Sequence, residues 1–135
     1  MVGSLTRHRD YGSCRLYVDA SEAATVREVL TAAQGWEFDR WSTSTIGAIT
    51  IDVQRNPDRD PQRNPEDFLR WPVTVEVVSP PRAPQGSVVA AVSGMVCALW
   101  ERKLRVVAAC DFEDRLPWAG GIARLRPPGA PIAPS

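Results

Sequence analysis

Between Arg15 and Glu113 the spacing of apolar residues switches from two to about 3.6 and back, twice, which restricts the chain to a small set of mixed folds. Leu16 and Val18 alternate with Tyr17 in Arg15–Asp19, predicting a strand with both aliphatic residues on one side. Val26, Val29, Leu30 and Ala33 then recur at helical spacing as far as Gly35, a residue suited to the left-handed close of a helix. Asp19 and Glu22 have the spacing of a capping box, so Asp19 is expected to cap this helix. Two more strands are predicted at Ile46–Val53, with Ile49, Ile51 and Val53 inward, and at Val73–Val78, with Val73, Val75 and Val77 inward. A second helix follows Ser87 as cap and carries Val88, Val92, Met95, Val96 and Leu99. Gly94 in its middle implies a close neighbour. The last strand is predicted over Arg105–Phe112, with Val106, Ala108, Cys110 and Phe112 inward.

Strand, helix, strand, strand, helix, strand over roughly residues 14–116 resembles the ferredoxin-like split βαβ architecture. The resemblance implies an α+β sandwich of βαββαβ order, a four-stranded antiparallel sheet with two helices on one face. A single domain is expected over residues 14–118. It would be flanked by a polar leader, 1–13, and a Gly/Ala/Pro-rich tail, 119–135, neither of which can bury much area against its ordering entropy. The order of elements carries no motif and implies no activity.

Composition narrows the function classes. Sixteen basic and sixteen acidic residues cancel, leaving no basic excess to drive nucleic-acid binding. No apolar run is long enough to span a membrane, and Met1–Ser13 lacks the apolar core of a signal peptide, so a cytoplasmic protein is expected. Cys14, Cys97 and Cys110 form no CxxC pair and are expected as reduced thiols. Cys97 and Cys110 read as core fillers rather than nucleophiles. The sole histidine, His8, lies in the leader, and the sole lysine, Lys103, lies at the polar end of the second helix. Chemistry that needs a histidine base or a buried lysine is thereby disfavoured.

With the alternating apolar residues facing the helices, Tyr17, Thr50, Asp52, Thr74, Glu76, Asp111 and Glu113 fall on the opposite, uncovered face. A register with Asp52 across from Thr74 and Glu76 across from Thr50 would pair each carboxylate with a hydroxyl, and no arginine is expected at the strand centres of this face. The expected result is an acidic platform able to steer a basic partner, with Tyr17, Trp41 and Trp71 as aromatic anchors. The bland reading is a solvated face whose charges prevent aggregation.

Asp111, Glu113 and Asp114 form the densest carboxylate cluster and are weak candidates for a divalent-ion site. The loop Gln54–Asp67 fails as a calcium loop, because Arg63 and Leu69 stand where glycine and a bidentate acid belong. Asn64-Pro65-Glu66-Asp67 instead predicts a helical turn through Phe68, Leu69 and Trp71.

The leading functional expectation is a non-catalytic protein-interaction module without cofactor, which docks through Tyr17, Trp41, Asp52, Trp71, Glu76, Asp111 and Glu113 onto a protein with a basic surface. Its layout is loosely similar to the immunity proteins that bacteria keep against toxins. The alternative is a small carboxylate- or metal-dependent enzyme acting on a small molecule or nucleotide. A third arrangement is a homodimer formed by stacking two open faces, at an electrostatic cost.

Overall fold

The computed structural model describes residues 9–125 and is α+β, an antiparallel sheet of five strands with three helices. The elements run β1 (Ser13–Val18), α1 (Ala23–Gln34), β2 (Thr43–Ile46), β3 (Ile49–Arg55), β4 (Val73–Val78), α2 (Gln85–Glu101), β5 (Val106–Ala109) and the short α3 (Ile122–Leu125). The strand order is β2-β3-β4-β1-β5. No helix among the described residues is long and apolar enough to cross a membrane.

The fifth strand arises where one strand was expected. Gly47 adopts φ 60°, the value needed at the first central position of a tight II′ hairpin turn, so Ile46–Val53 folds back and Thr43–Ile46 pairs with Ile49–Asp52. The inward alternation holds in β1, β3, β4 and β5: Leu16, Val18, Ile49, Ile51, Val53, Val73, Val75, Val77, Val106 and Ala108 are all buried. Against this face pack Val26, Val29 and Leu30 of α1 and Val88, Val92, Met95, Val96 and Leu99 of α2. Each such side chain contributes about 1.5–3 kcal/mol by leaving water.

Helix boundaries depart from the capping expectations. Asp19 does not cap α1, which begins at Ala23 after Glu22 with no side-chain cap, because two arginines engage the Asp19 carboxylate. Gly35 closes the helix at φ 73°. Pro84, not Ser87, stands at the N-cap of α2. At the other end Lys103 N–H donates to Trp100 and Leu104 N–H to Leu99, a Schellman close with Lys103 itself at φ 65°. The neighbour implied by Gly94 is the Gln34 side chain of α1.

Part of each expected tail is packed structure. Residues 119–125 lie along the outer edge of β5, where Gly121 sits so close to the Val106 carbonyl that a Cβ would overlap it. Trp100 Nε1 donates to the same oxygen at 3.1 Å. Together they shield an edge strand that would otherwise offer free pairing groups. At the leader, the Tyr11 ring stacks on Phe112 at 4.9 Å and its carbonyl accepts from Ser79 Oγ at 2.7 Å. His8 and residues 126–135 lie outside the described residues.

Candidate docking surface on the open sheet face

The face turned away from α1 and α2 is organised in three rows running across the strands. Gln54, Thr74, Tyr17 and Val107 form the first, Thr43, Asp52, Glu76, Arg15 and Ala109 the second, and Thr45, Thr50, Val78 and Ser13 the third.

The first row is largely covered by the chain between β3 and β4. Phe68, in a single 3-10 turn at Phe68–Arg70, meets Tyr17 edge-on at 5.6 Å and Trp71 at 6.3 Å, and beneath this segment Thr74 and Val107 are buried. The result is a small second core on the face expected to be open. Trp71 is 0% exposed, with Nε1 donating to the Pro65 carbonyl at 3.1 Å, and so cannot serve as the contact residue expected of it. Asn56 pins the segment, donating from Nδ2 to the carbonyls of Leu69 and Trp71, each at 2.8 Å, and accepting the Asp58 N–H at 2.9 Å. On its outer side Arg105 lies 4.9 Å over the Trp71 ring and donates to Pro65 O and Asp19, whose other oxygen takes Arg63 Nη2 at 2.9 Å. The loop is thus a strap across one end of the sheet.

The second row overturns two expectations. Asp52 faces Glu76 directly, not Thr74, and Thr50 faces Val78, so like charges are opposed in the hairpin register. Arg15 lies on this face, opposite Glu76, and forms an ion pair with it. Contacts to Tyr17 and then Glu76 push the Arg15 pKa up and keep it cationic. The alternation that places Tyr17 outward also places Arg15 outward, so the sequence held this signal. Among the described residues the donors to Asp52 are uncharged, Thr43 Oγ1 at 2.8 Å and Gln54 Nε2 at 3.1 Å. The guanidinium of Arg15 thus serves Glu76, and Asp52 faces Glu76 with hydroxyl and amide partners.

The third row is uncovered. Val78, at 53% exposure, stands among the hydroxyls of Thr45, Thr50 and Ser13. Trp41 is 67% exposed at the β2 rim. The Asp39 carboxylate accepts from both Trp41 N and Thr43 N, Gln54 Nε2 donates to the Trp41 carbonyl at 3.3 Å, and Arg40 lies 4.9 Å over the indole. The ring is thus presented on an ordered turn.

The acidic cluster after β5 does not extend the platform as strand positions would. Pairing stops at Ala109 and the chain turns into a 3-10 segment, Glu113–Arg115, so the carboxylates point to separate donors. Asp111 accepts Asp10 N at 3.1 Å, Glu113 accepts Cys110 N at 2.9 Å and Asp114 binds Arg9 at 2.5 Å. Arg9 holds the Asp114 carboxyl below its ordinary pKa. Among the described residues no three His, Cys, Asp or Glu side chains are grouped to hold a metal ion. Asp111 does share a cleft of about 240 Å³ with Asp10, Ser13, Cys14, Arg15, Glu76 and Cys110 at the end of the second row.

Of the seven expected contact residues, Asp52 and Glu76 meet at the centre and Trp41 stands at the rim. Tyr17 is half-buried under the strap, Trp71 is inside it, and Asp111 and Glu113 lie beyond the end of β5. Arg15, Thr43 and Val78 join the surface. No family model, curated protein or solved structure matches the chain.

Proposed function

We propose that this chain is a non-catalytic protein-interaction module, acting in the cytoplasm, that docks through the two uncovered rows of its sheet onto a partner with a basic surface. The observation that carries the reading is the direct opposition of Asp52 and Glu76, with Arg15 paired to Glu76 from its far side and leaving Asp52 facing a like charge. Like charges facing across strands destabilise a sheet, and a lysine or arginine brought over the pair relieves that cost on binding. Val78 and Trp41 supply the apolar contact that charge alone lacks. The inner order β3-β4-β1-β5, with α1 linking β1 to the β2–β3 hairpin and α2 linking β4 to β5, supports a ferredoxin-like reading in which β2 is an added edge. An immunity-type role, neutralising a partner by covering it, suits a rigid platform of this kind.

The test is capture of a stoichiometric companion by the full chain, followed by titration of that companion against variants. Asp52→Arg and Trp41→Ala should each weaken binding at least tenfold, and the affinity should fall with added salt. A companion that binds both variants as tightly as the parent overturns the proposal. So does a chain that only self-associates, measured by light scattering.

A further inference from the structure

The register that builds the platform also sets two thiols against each other. Arg15 pairs with Ala109 at the end of the β1–β5 ladder, and continuing that register sets Cys14 against Cys110, whose side chains are in contact. Asp19 N donates to the Arg105 carbonyl at 2.9 Å, which marks 19/105 as a hydrogen-bonded pair and, by alternation, 14/110 as a non-hydrogen-bonded one. The Cys110 N–H accordingly turns away, to Glu113. Pairs of this type hold their Cα atoms about 4.5 Å apart with side chains on the same face, inside the roughly 4.4–6.8 Å that a disulfide spans. Cys14 is buried, Cys110 is half-buried at the rim of the core, and both residues line the cleft beside Arg15 and Glu76.

We propose that Cys14 and Cys110 form a reversible thiol–disulfide switch that ties the edge strand β5 to β1. The contact between the two thiols is asymmetric. It lowers the Cys110 pKa, helped by the Phe112 backbone and opposed by burial and by Glu113 and Asp111, and it raises that of Cys14, which is also buried. Cys110, half-buried at the cleft where Cys14 is buried, is the sulfur that an external disulfide can reach and so is the attacking one. Its thiolate attacks one sulfur of a small disulfide such as oxidised glutathione, breaking that bond and releasing one thiol, which takes up the Cys110 proton. Cys14 then attacks Cys110 Sγ, breaking the mixed disulfide, and its proton leaves with the second small thiol. One small disulfide is reduced to two thiols, and one protein dithiol is oxidised.

The experiment incubates the full chain with oxidised glutathione and follows intact mass, peptide mapping and thermal unfolding. The expected product is lighter by about 2 Da, carries a Cys14–Cys110 cross-link and melts about 5–15 °C higher, since the bond constrains most of the chain. Dithiothreitol reverses all three changes, and Cys97→Ser oxidises in the same way. Cys14→Ala removes the resolving thiol and should stop at a glutathione adduct on Cys110. A parent chain that keeps all three thiols free, or a cross-link through Cys97, overturns the proposal. That mapping needs only the parent protein, so it decides the matter even where Cys14→Ala does not fold.

Discussion

The Asn56 side-chain amide donates to the Trp71 main-chain carbonyl at 2.8 Å, and through this bond the β3–β4 loop becomes part of the fold. The same amide group holds Leu69, and its oxygen holds Asp58, so a single buried side chain closes the strap at three points. Asn56→Ala leaves buried carbonyls unpaired and should lower stability by about 2–3 kcal/mol. Urea unfolding measures this, with Trp71 as a fluorescence reporter. A loss below about 0.5 kcal/mol would show that the strap holds without its pin.

Asp19 joins Arg63 and Arg105 across long sequence separations. Removing its charge leaves two guanidinium groups facing each other around a carboxamide. Asp19→Asn should cost about 1–3 kcal/mol, because the group is largely shielded from water and both bonds are charge-assisted. Arg105→Lys should lose less, keeping the charge while giving up the fork and the stack on Trp71. Chemical denaturation of the two variants side by side checks the order.

Gly121 stands at φ 101° against the Val106 carbonyl, whereas Gly35 stands at φ 73° in open space. Gly35→Ala should therefore cost about 1–2 kcal/mol, the left-handed penalty alone. Gly121→Ala adds a backbone clash and should cost distinctly more, lifting residues 119–125 off the edge of β5. Aggregation of Gly121→Ala, but not Gly35→Ala, in size-exclusion chromatography is the expected signature of an uncovered edge.

Lys103 occupies the left-handed closing position of α2 that glycine usually fills, and its side chain is exposed. Lys103→Gly should stabilise the protein by about 0.5–1 kcal/mol, the relief of backbone strain exceeding the added freedom of the unfolded chain. A melting temperature equal to or below the parent's would contradict this.

Gly94→Ala is expected to be neutral or stabilising by up to about 1 kcal/mol. The new Cβ would lie 2.5 Å from Gln34 Nε2, the far end of an exposed, flexible side chain that can swing away. A loss of more than about 1 kcal/mol would mean that Gln34 is held in place.

The periodicity of Leu16/Val18, Ile49/Ile51/Val53 and Val73/Val75/Val77 was enough to identify the inward face of each strand, because a side-chain period of two leaves only two choices and one of them buries the valines. The same rule applied to Arg15 puts a cation on the outer face, which is therefore less acidic than its carboxylates alone imply. The Ile46–Val53 run concealed a hairpin because Gly47 is one glycine within an otherwise strand-like segment, and its positive φ is expressed only when Thr43–Ile46 has a partner. Asp19 has the spacing of a cap, yet two distant arginines outcompete the helix N–H groups for its carboxylate.

Local pattern thus determined the α+β class, the inward residues and the helix stop at Gly35, since these depend on neighbours within a few positions. Tertiary structure alone decided that Asp52 meets Glu76, that the Cys14 and Cys110 side chains come into contact, and that Phe68 and Trp71 roof over Tyr17. Each of these depends on strand register or on where a long loop comes to rest. A one-residue slip in register changes every such pair while leaving the composition and spacing of the sequence as they were.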